Sequence, residues 1–286
     1  MNAAPNRLAD VQPRIAPTVN ARVVTLDIER IPGRARAKHR GLTIEGEFWD
    51  LSGWKHTIGR RIHADDVLEW PRTICAAWRW YGEEEVHFAA EWDIGGHQEF
   101  MRKLWDVYSD ADVTVGHNMQ SFDGPMIASG WAEYGWAPPS PVKVIDTLRV
   151  ARQRFAFESN TLDALAKRLG VAAKTDRYDA RVAQAAVNGD KEAQEKLRGY
   201  NEGDIIATEA VFDRLRPWLP GSVHLGQWAD SDMVCVNCGS ENVTEQAGKT
   251  IKANVTAYPA YRCDNCGTHM RGTTKVATAI KTRAAR

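Results

Sequence analysis

The 286-residue chain has no net formal charge, since 37 Lys and Arg balance 37 Asp and Glu. That balance excludes a uniformly basic surface of the kind that grips nucleic acid everywhere. It also lacks any apolar run near the roughly 20 residues that cross a bilayer. The first residues lack the basic, apolar and small-residue order of a secretory signal, so the expectation is a cytoplasmic protein without membrane contact. Only five cysteines are present and no export signal accompanies them, which argues against a disulfide framework. The eight histidines show no metal-ligand spacing, and no His/Cys cluster lies in the first 230 residues, so zinc is not the obvious catalytic ion there. No internal repeat is visible.

What is present falls into blocks. Residues 1–20 carry three prolines and no periodic apolar pattern, and read as a mobile arm. The apolar run Val23–Leu26 reads as a buried strand leading into Asp27. A Pro32-Gly33 break follows, and the basic stretch Arg34, Arg36, Lys38 and Arg40 reads as a loop. Two alternating runs, ICAAWRW and EVHFAA, predict an antiparallel hairpin with Cys75 in the core. From Gly96 onward helical and strand patterns alternate through VTVGHN, GPMIASGWAEYG and VKVIDT. Strands paired antiparallel first and then interleaved with helices predict an α/β fold, a mixed sheet flanked by helices. NTLDALAKRLG reads as a helix capped by Asn160 or Thr161 and ended by Gly170. A long helix is expected over about 191–215, ending near Pro217 and Pro220. The expected division is an arm at 1–20, a main domain at 21–219, a linker at 220–230, a small cysteine-bearing domain at 231–275 and a basic tail at 276–286.

Four acids arrive in three packets: Asp27 and Glu29 in VVTLDIERIPG, Asp123 in VGHNMQSFDGPMI, and Asp204 in GYNEGDIIATEA. Side chains two apart on a strand leave by one face, so Asp27 and Glu29 point together. Tyr200 and Asp204 lie four apart in a helical pattern and share a face. Two divalent ions roughly 3.5–4 Å apart need several carboxylates to hold them, and hard oxygen donors favour Mg²⁺ or Mn²⁺. Taken singly, each packet has a commoner reading, as a turn acid, a solvated helix face or a helix-start cap. Their occurrence together and in this order points to a metal-dependent nuclease. Asp146 in VIDT and Asp163 in TLDALA are not assigned as ligands, and His117 is read as structural.

These motifs resemble the DEDD superfamily of 3′→5′ exonucleases, in its tyrosine-containing branch. Asp27-x-Glu29 is similar to the first family motif. Asn118, Phe122 and Asp123 in GHNMQSFDGP are similar to the second, as found in the exonuclease domains of family B DNA polymerases, and Tyr200-x-x-x-Asp204 to the third. The histidine branch would place its general base five residues before the last Asp, where this chain has Gly199. The resemblance covers about residues 21–217 and implies a ribonuclease H-like fold. It implies that Asp27 bridges two Mg²⁺ or Mn²⁺ ions, that Glu29 and Asp204 complete the nucleophile side, and that Asp123 holds the second ion partly through water. It further implies that Tyr200 positions the hydrolytic water, that Asn118 contacts the terminal nucleotide, and that Phe122 packs beneath the site or near a base. Segment 33–71 departs from a minimal exonuclease domain. The activity implied is release of nucleoside 5′-monophosphates from the 3′ end of single-stranded DNA, in proofreading, repair or end-trimming. With no polymerase-sized region, proofreading would serve a separate polymerase or replication protein.

Four cysteines form two knuckles, Cys235-x-x-Cys238-Gly and Cys263-x-x-Cys266-Gly, 24 residues apart. Four thiolates with this spacing suit one structural Zn²⁺, and the segment resembles a zinc ribbon. A core below about 50 residues is marginal, so the metal is expected to supply much of the folding free energy. From Lys249 to the end eight Lys and Arg face the single acid Asp264, and with Tyr258 and Tyr261 they suit phosphate contact and base stacking. A stabilising appendage, or docking onto another protein, stays open for this segment. Nuclease plus ribbon is similar to proteins carried by bacteriophages, which implies a bacterial or phage-infected cytoplasm. Two other readings stay open for the whole chain, an exoribonuclease that trims RNA and a non-catalytic nucleic-acid adaptor.

Overall fold

The computed structural model describes residues 15, 19–39, 42–51, 62–171, 178–219, 221, 223–253 and 256–276. Most of the expected arm, nearly all of the expected tail, and Arg40 lie outside them. In chain order the elements are β1 (Val23–Ile31), β2 (Arg34–His39), β3 (Leu42–Glu47), the short α1 (Phe48–Leu51), β4 (Val67–Glu69), β5 (Arg72–Trp80), β6 (His87–Ala90), α2 (His97–Asp110), β7 (Val113–Gly116), α3 (Asp123–Glu133) and β8 (Lys143–Asp146). There follow α4 (Thr147–Arg154), α5 (Leu162–Leu169), α6 (Ala180–Val187), α7 (Lys191–Leu215), β9 (Val243–Ala253), β10 (Thr256–Cys263) and β11 (His269–Arg271). The chain divides into two compact units, one of Arg22–Asp146 with Ala172–Thr208, the other of Met1–Ala21, Thr147–Val171 and Glu209–Arg286. The division falls within α7. No helix of the described residues is long and apolar enough to cross a membrane.

The first unit is built on a five-stranded mixed sheet in the order β6-β5-β1-β7-β8. β1 runs antiparallel to β5 and parallel to β7, as β7 does to β8. The period of two along β1 sorts its side chains between the faces. Val24, Leu26 and Ile28 pack with Phe100 and Leu104 of α2 and Ile127 and Trp131 of α3. On the other face Ile31, with Cys75 and Ala90, meets Ala183 and Ala186 of α6 and Leu197 of α7. The sheet is thus sandwiched between helices, as the alternation of patterns predicts. At about 1.5–3 kcal/mol for each fully buried large apolar side chain, these two layers form a core that owes nothing to a metal.

Pairing between β1 and β7 stops at Thr25 opposite Val115. Beyond that point β1 continues through Asp27 and Glu29 past the carboxyl end of β7, where a crevice lined by Ile28, His117 and Asp123 opens. Open α/β sheets bind their ligands at such crevices. Pairing with β5 also slips here: Glu29 faces Cys75 but Arg30 faces Thr73, so Ile74 is the extra residue of a bulge.

The stretch expected to be a loop at 34–40 is instead strand β2 through His39, in a second sheet ordered β3-β2-β4. Its sequence, Arg-Ala-Arg-Ala-Lys, alternates with period two, and Ala35 and Ala37 are buried with Leu51 while Arg34, Arg36 and Lys38 face solvent. The charges on one face hid the strand's apolar half. Arg34 and Arg36 reach Glu45 of β3 at 3.5 and 2.8 Å, exposed pairs that water and salt screen.

In the second unit, α5 begins and ends as its sequence predicts: Thr161 Oγ1 accepts from Ala164 N at 3.4 Å, and Gly170 closes the helix with φ of 65°. Its sheet, β11-β10-β9, belongs to the cysteine-bearing segment.

Candidate functional site

Asp27 and Glu29, two apart on β1, leave its surface on the side of α7. From that helix Asp204 comes to meet them, and the three offer carboxylate oxygens that all lie within 4.8 Å of one another. Glu29 and Asp204 are 7% and 5% exposed, Asp27 somewhat more. Three acids crowded into a largely dry site repel one another when ionised, and a divalent cation among them would offset that repulsion. A cavity of about 260 Å³ opens over them, lined also by Ile28, Arg30, His117, Phe122, Asp123, Tyr178 and Tyr200.

Asp123 arrives by a different route. β7 ends at Gly116, where a Cβ would lie 2.7 Å from the Met119 methyl and 3.3 Å from the Leu26 carbonyl, so the turn leaves no room for a side chain. Asn118 then takes the left-handed conformation, with φ of 72°, which asparagine tolerates better than most residues. Asp146, at the end of β8, holds this turn: its carboxylate accepts the Asn118 and Gln120 amides, each at 3.1 Å. Asp123 follows as the first residue of α3. The N-cap is Phe122, which makes no side-chain cap. The Asp123 carboxylate is held by the backbone N–H of Ile28 and by its own. Burial pushes its pKa up to about 7, against those amides and with the help of the Asp146 and Asp204 charges. Asp123 lines the cavity yet stands outside the three-acid cluster.

Tyr200, one helical turn before Asp204, lines the same cavity. Burial, then the charges of Asp204, Glu29 and Asp27, raise its pKa well above the ordinary phenol value, while a backbone contact with Tyr178 lowers it. At neutral pH the phenol keeps its proton. Tyr178 stands beside it with ring centroids 6.4 Å apart, its own hydroxyl donating to the Arg30 carbonyl.

Of the residues singled out in the sequence, the structure gathers Asp27, Glu29, Phe122, Asp123, Tyr200 and Asp204 around one cavity. It does not bring Asn118 into the lining, where its neighbour His117 stands instead. Sequence reasoning passed over Tyr178 and Arg30, which no periodicity marks. It also passed over Asn201, which is fully buried and donates to Asp27 Oδ2 at 2.7 Å. A signal for Asn201 did exist: Leu197, Asn201, Ile205 and Thr208 form a buried helical stripe in which an amide is out of place.

Within the second unit, Cys235, Cys238, Cys263 and Cys266 bring their sulfurs within 4.8 Å of one another, all four buried and free of disulfides. Gly239 and Gly267 end the two turns with φ of 70° and 79°. Their amides bond back to the Cys235 and Cys263 carbonyls at 2.8 and 2.9 Å. The Cys266 amide is directed at the Cys263 sulfur, 3.4 Å away, and the Asn265 side chain donates to the Cys238 sulfur at 3.6 Å. Donors aimed at sulfur favour thiolate, and four soft ligands fit one tetrahedral Zn²⁺.

The family model for the RNase_H superfamily matches residues 73–216, half of the chain. The chain belongs to the RNase H superfamily. The match takes in Asp123, Tyr200 and Asp204 and begins after the strand that carries Asp27 and Glu29. Among solved structures, the RNase H chain is similar to the family B DNA polymerase of the hyperthermophilic archaeon Pyrobaculum calidifontis, with a TM-score of 0.51 and 18% identity. The similarity covers 74% of this chain but 27% of the polymerase, and at that identity it speaks for the fold. No curated protein matches the sequence. RNase H-like nucleases use divalent metals, and the oxygen-only donor set of Asp27, Glu29 and Asp204 suits such an ion. Family and donor chemistry together support a nucleic-acid hydrolase.

Proposed function

We propose that this chain is a 3′→5′ exonuclease dependent on Mg²⁺ or Mn²⁺, releasing nucleoside 5′-monophosphates from the end of single-stranded DNA. The observation that carries the reading is the convergence of Asp27, Glu29 and Asp204 within 4.8 Å, under a cavity that Asp123 and Tyr200 also line. Two ions held by these four acids would supply a nucleophile at neutral pH and neutralise charge developing on the scissile phosphate. Tyr200, kept protonated by its surroundings, acts by hydrogen bonding: it orients the attacking water and takes no proton from it. Phe122 offers the terminal nucleotide an apolar wall, and Asn118, outside the cavity lining, acts on the nucleotide only through the shape of its turn.

The cavity is small, about 260 Å³, which suits a single unpaired nucleotide better than a duplex. The four cysteines hold one Zn²⁺ in a ribbon at about 231–275 that docks nucleic acid or a replication partner. Proofreading or repair beside a separate polymerase is the role that fits an exonuclease of this kind. An exoribonuclease is the second reading, because no residue of the cavity is committed to, or against, a 2′-hydroxyl.

Digestion of 5′-labelled single-stranded DNA and RNA of one sequence with Mg²⁺, beside Asp27→Ala and Asp204→Ala, tests both. A ladder shortening from the 3′ end with the parent alone supports the exonuclease, and the faster substrate names the sugar. Equal digestion by all three proteins removes the assigned site.

A further inference from the structure

We propose that Asn201 is a positioning residue for Asp27, fixing that carboxylate for divalent-ion binding, a role that rests on the nuclease reading above. Asn201 lies on α7 and Asp27 on β1, 174 residues apart in sequence, and Asn201 Nδ2 donates to Asp27 Oδ2 at 2.7 Å. That is a short, charge-assisted bond. The orientation of the amide is dictated by chemistry: turned over, its oxygen would face a carboxylate oxygen, acceptor against acceptor. Asn201 is 0% exposed, and its Oδ1 has no hydrogen-bond partner among the described residues. A buried amide that uses only its donor is a poor packing choice on a stripe that otherwise carries Leu197 and Ile205, where leucine would leave nothing unsatisfied. The donor is therefore what the position is for.

The choice of a neutral donor also fits the surroundings. Asp27 shares its 4.8 Å cluster with Glu29 and Asp204, and a lysine or arginine at position 201 would offset their repulsion while competing with a divalent cation for the same oxygens. An amide holds the carboxylate's plane and rotamer without adding charge. Partners that orient metal ligands in this manner commonly change metal affinity or activity 10–100-fold when removed.

The test is Mn²⁺ binding, followed by the paramagnetic signal of free Mn²⁺ and by calorimetry, on the zinc-loaded full chain. Parent, Asn201→Leu, Asn201→Asp and Asp27→Ala are compared, with the melting temperature of each in the absence of Mn²⁺. Both Asn201 variants keep the side chain's branching and lose its donor. Asn201→Asp also adds a carboxylate beside Asp27, which by charge alone would tighten Mn²⁺, so a weakening in that variant reports the lost donor. The expected result is a loss of Mn²⁺ affinity of about 10–100-fold with the Asn201→Leu melting temperature held or raised, and a lower kcat on single-stranded DNA at unchanged KM. Mn²⁺ affinity equal to the parent's overturns the role, as does a weakening matched by a fall in melting temperature in both variants. Should Asn201→Leu not fold, Asn201→Asp is judged by the same criteria. A parent that neither binds Mn²⁺ nor digests nucleic acid sinks the nuclease reading and this role with it. A parent that does both while its Asn201 variants match it sinks the role alone.

Discussion

The two clusters of potential metal ligands are built on opposite plans. The carboxylates come from β1 and α7, with Asp123 from α3 close by, and they gather on the central strand of a sheet buried on both faces by apolar helices. The thiols lie within 32 residues, from Cys235 to Cys266, and they are themselves most of the core around them, joined by Met270, Val236, Val243 and Tyr261. Remove an ion from the first and a folded scaffold with a repulsive patch remains. Remove it from the second and the core has lost its centre. On the proposed reading, the first site is arranged for an ion that serves chemistry and the second for one that serves folding.

The largest expected effect tests the thiol half. Zinc in such four-cysteine sites supplies on the order of 10 kcal/mol, so stripping it, or making Cys263→Ser, should melt β9–β11. Hydrogen exchange should then report unprotected amides over 243–271 while β1 and β5 stay protected. Loss of protection across the five-stranded sheet as well would break the comparison. The next effect tests the carboxylate half. Asp27→Ala or Asp204→Ala should lower kcat roughly 10³-fold or more, with the thermal stability of Asp204→Ala in the absence of divalent ions equal to the parent's or higher because like charges are relieved, while Asp27→Ala also gives up the Asn201 hydrogen bond. A steep fall in melting temperature would show these acids to be structural.

The sheet flanked by helices was legible because its signals are local: period two in β1 and β5, period 3.6 in α2 and α5, a threonine cap and a left-handed glycine on α5. The spacing of Asp27 with Glu29, and of Tyr200 with Asp204, carried the site for the same reason, since each pair shares a face within one element. What escaped depends on tertiary approach. Asp146, which VIDT marks as an acid without giving it a task, holds the 118–120 turn from a strand 26 residues away, and Tyr178, which nothing nearby announces, reaches the Arg30 carbonyl across 148 residues. β2 escaped for another reason, because small alanines on its buried face left arginines to dominate the reading.

A weaker effect sharpens the contrast by pH. Burial raises Asp123 to about 7, so the folded chain without divalent ions retains a proton that the unfolded chain releases near the ordinary value of about 4. This group's contribution is fully present below about pH 4 and is lost as pH rises through about 7, a swing of at most about 4 kcal/mol. Melting temperature should therefore fall across that interval in the absence of Mg²⁺ and Mn²⁺. Asp123→Asn should flatten the fall, and added Mn²⁺ should reverse it, because an ion favours the carboxylate. A profile identical in parent and Asp123→Asn would remove the buried-acid account.

The smallest effect concerns Tyr200. If the phenol were a general base, Tyr200→Phe would abolish activity and the rate would climb with pH towards the ionisation of the tyrosine. Its surroundings push that ionisation upward, with burial first and the charges of Asp204, Glu29 and Asp27 behind it, so the acids that gather ions also deny the tyrosine a basic role. Tyr200→Phe should then lower kcat by only about 10–100-fold, the scale of one lost water-orienting hydrogen bond, while leaving KM and Mn²⁺ affinity near the parent's. The ring would remain beside Tyr178, so packing is preserved. A kcat loss as large as that of Asp27→Ala would place the phenol among the groups that move protons, and the carboxylate cluster could no longer be treated as the sole seat of the chemistry.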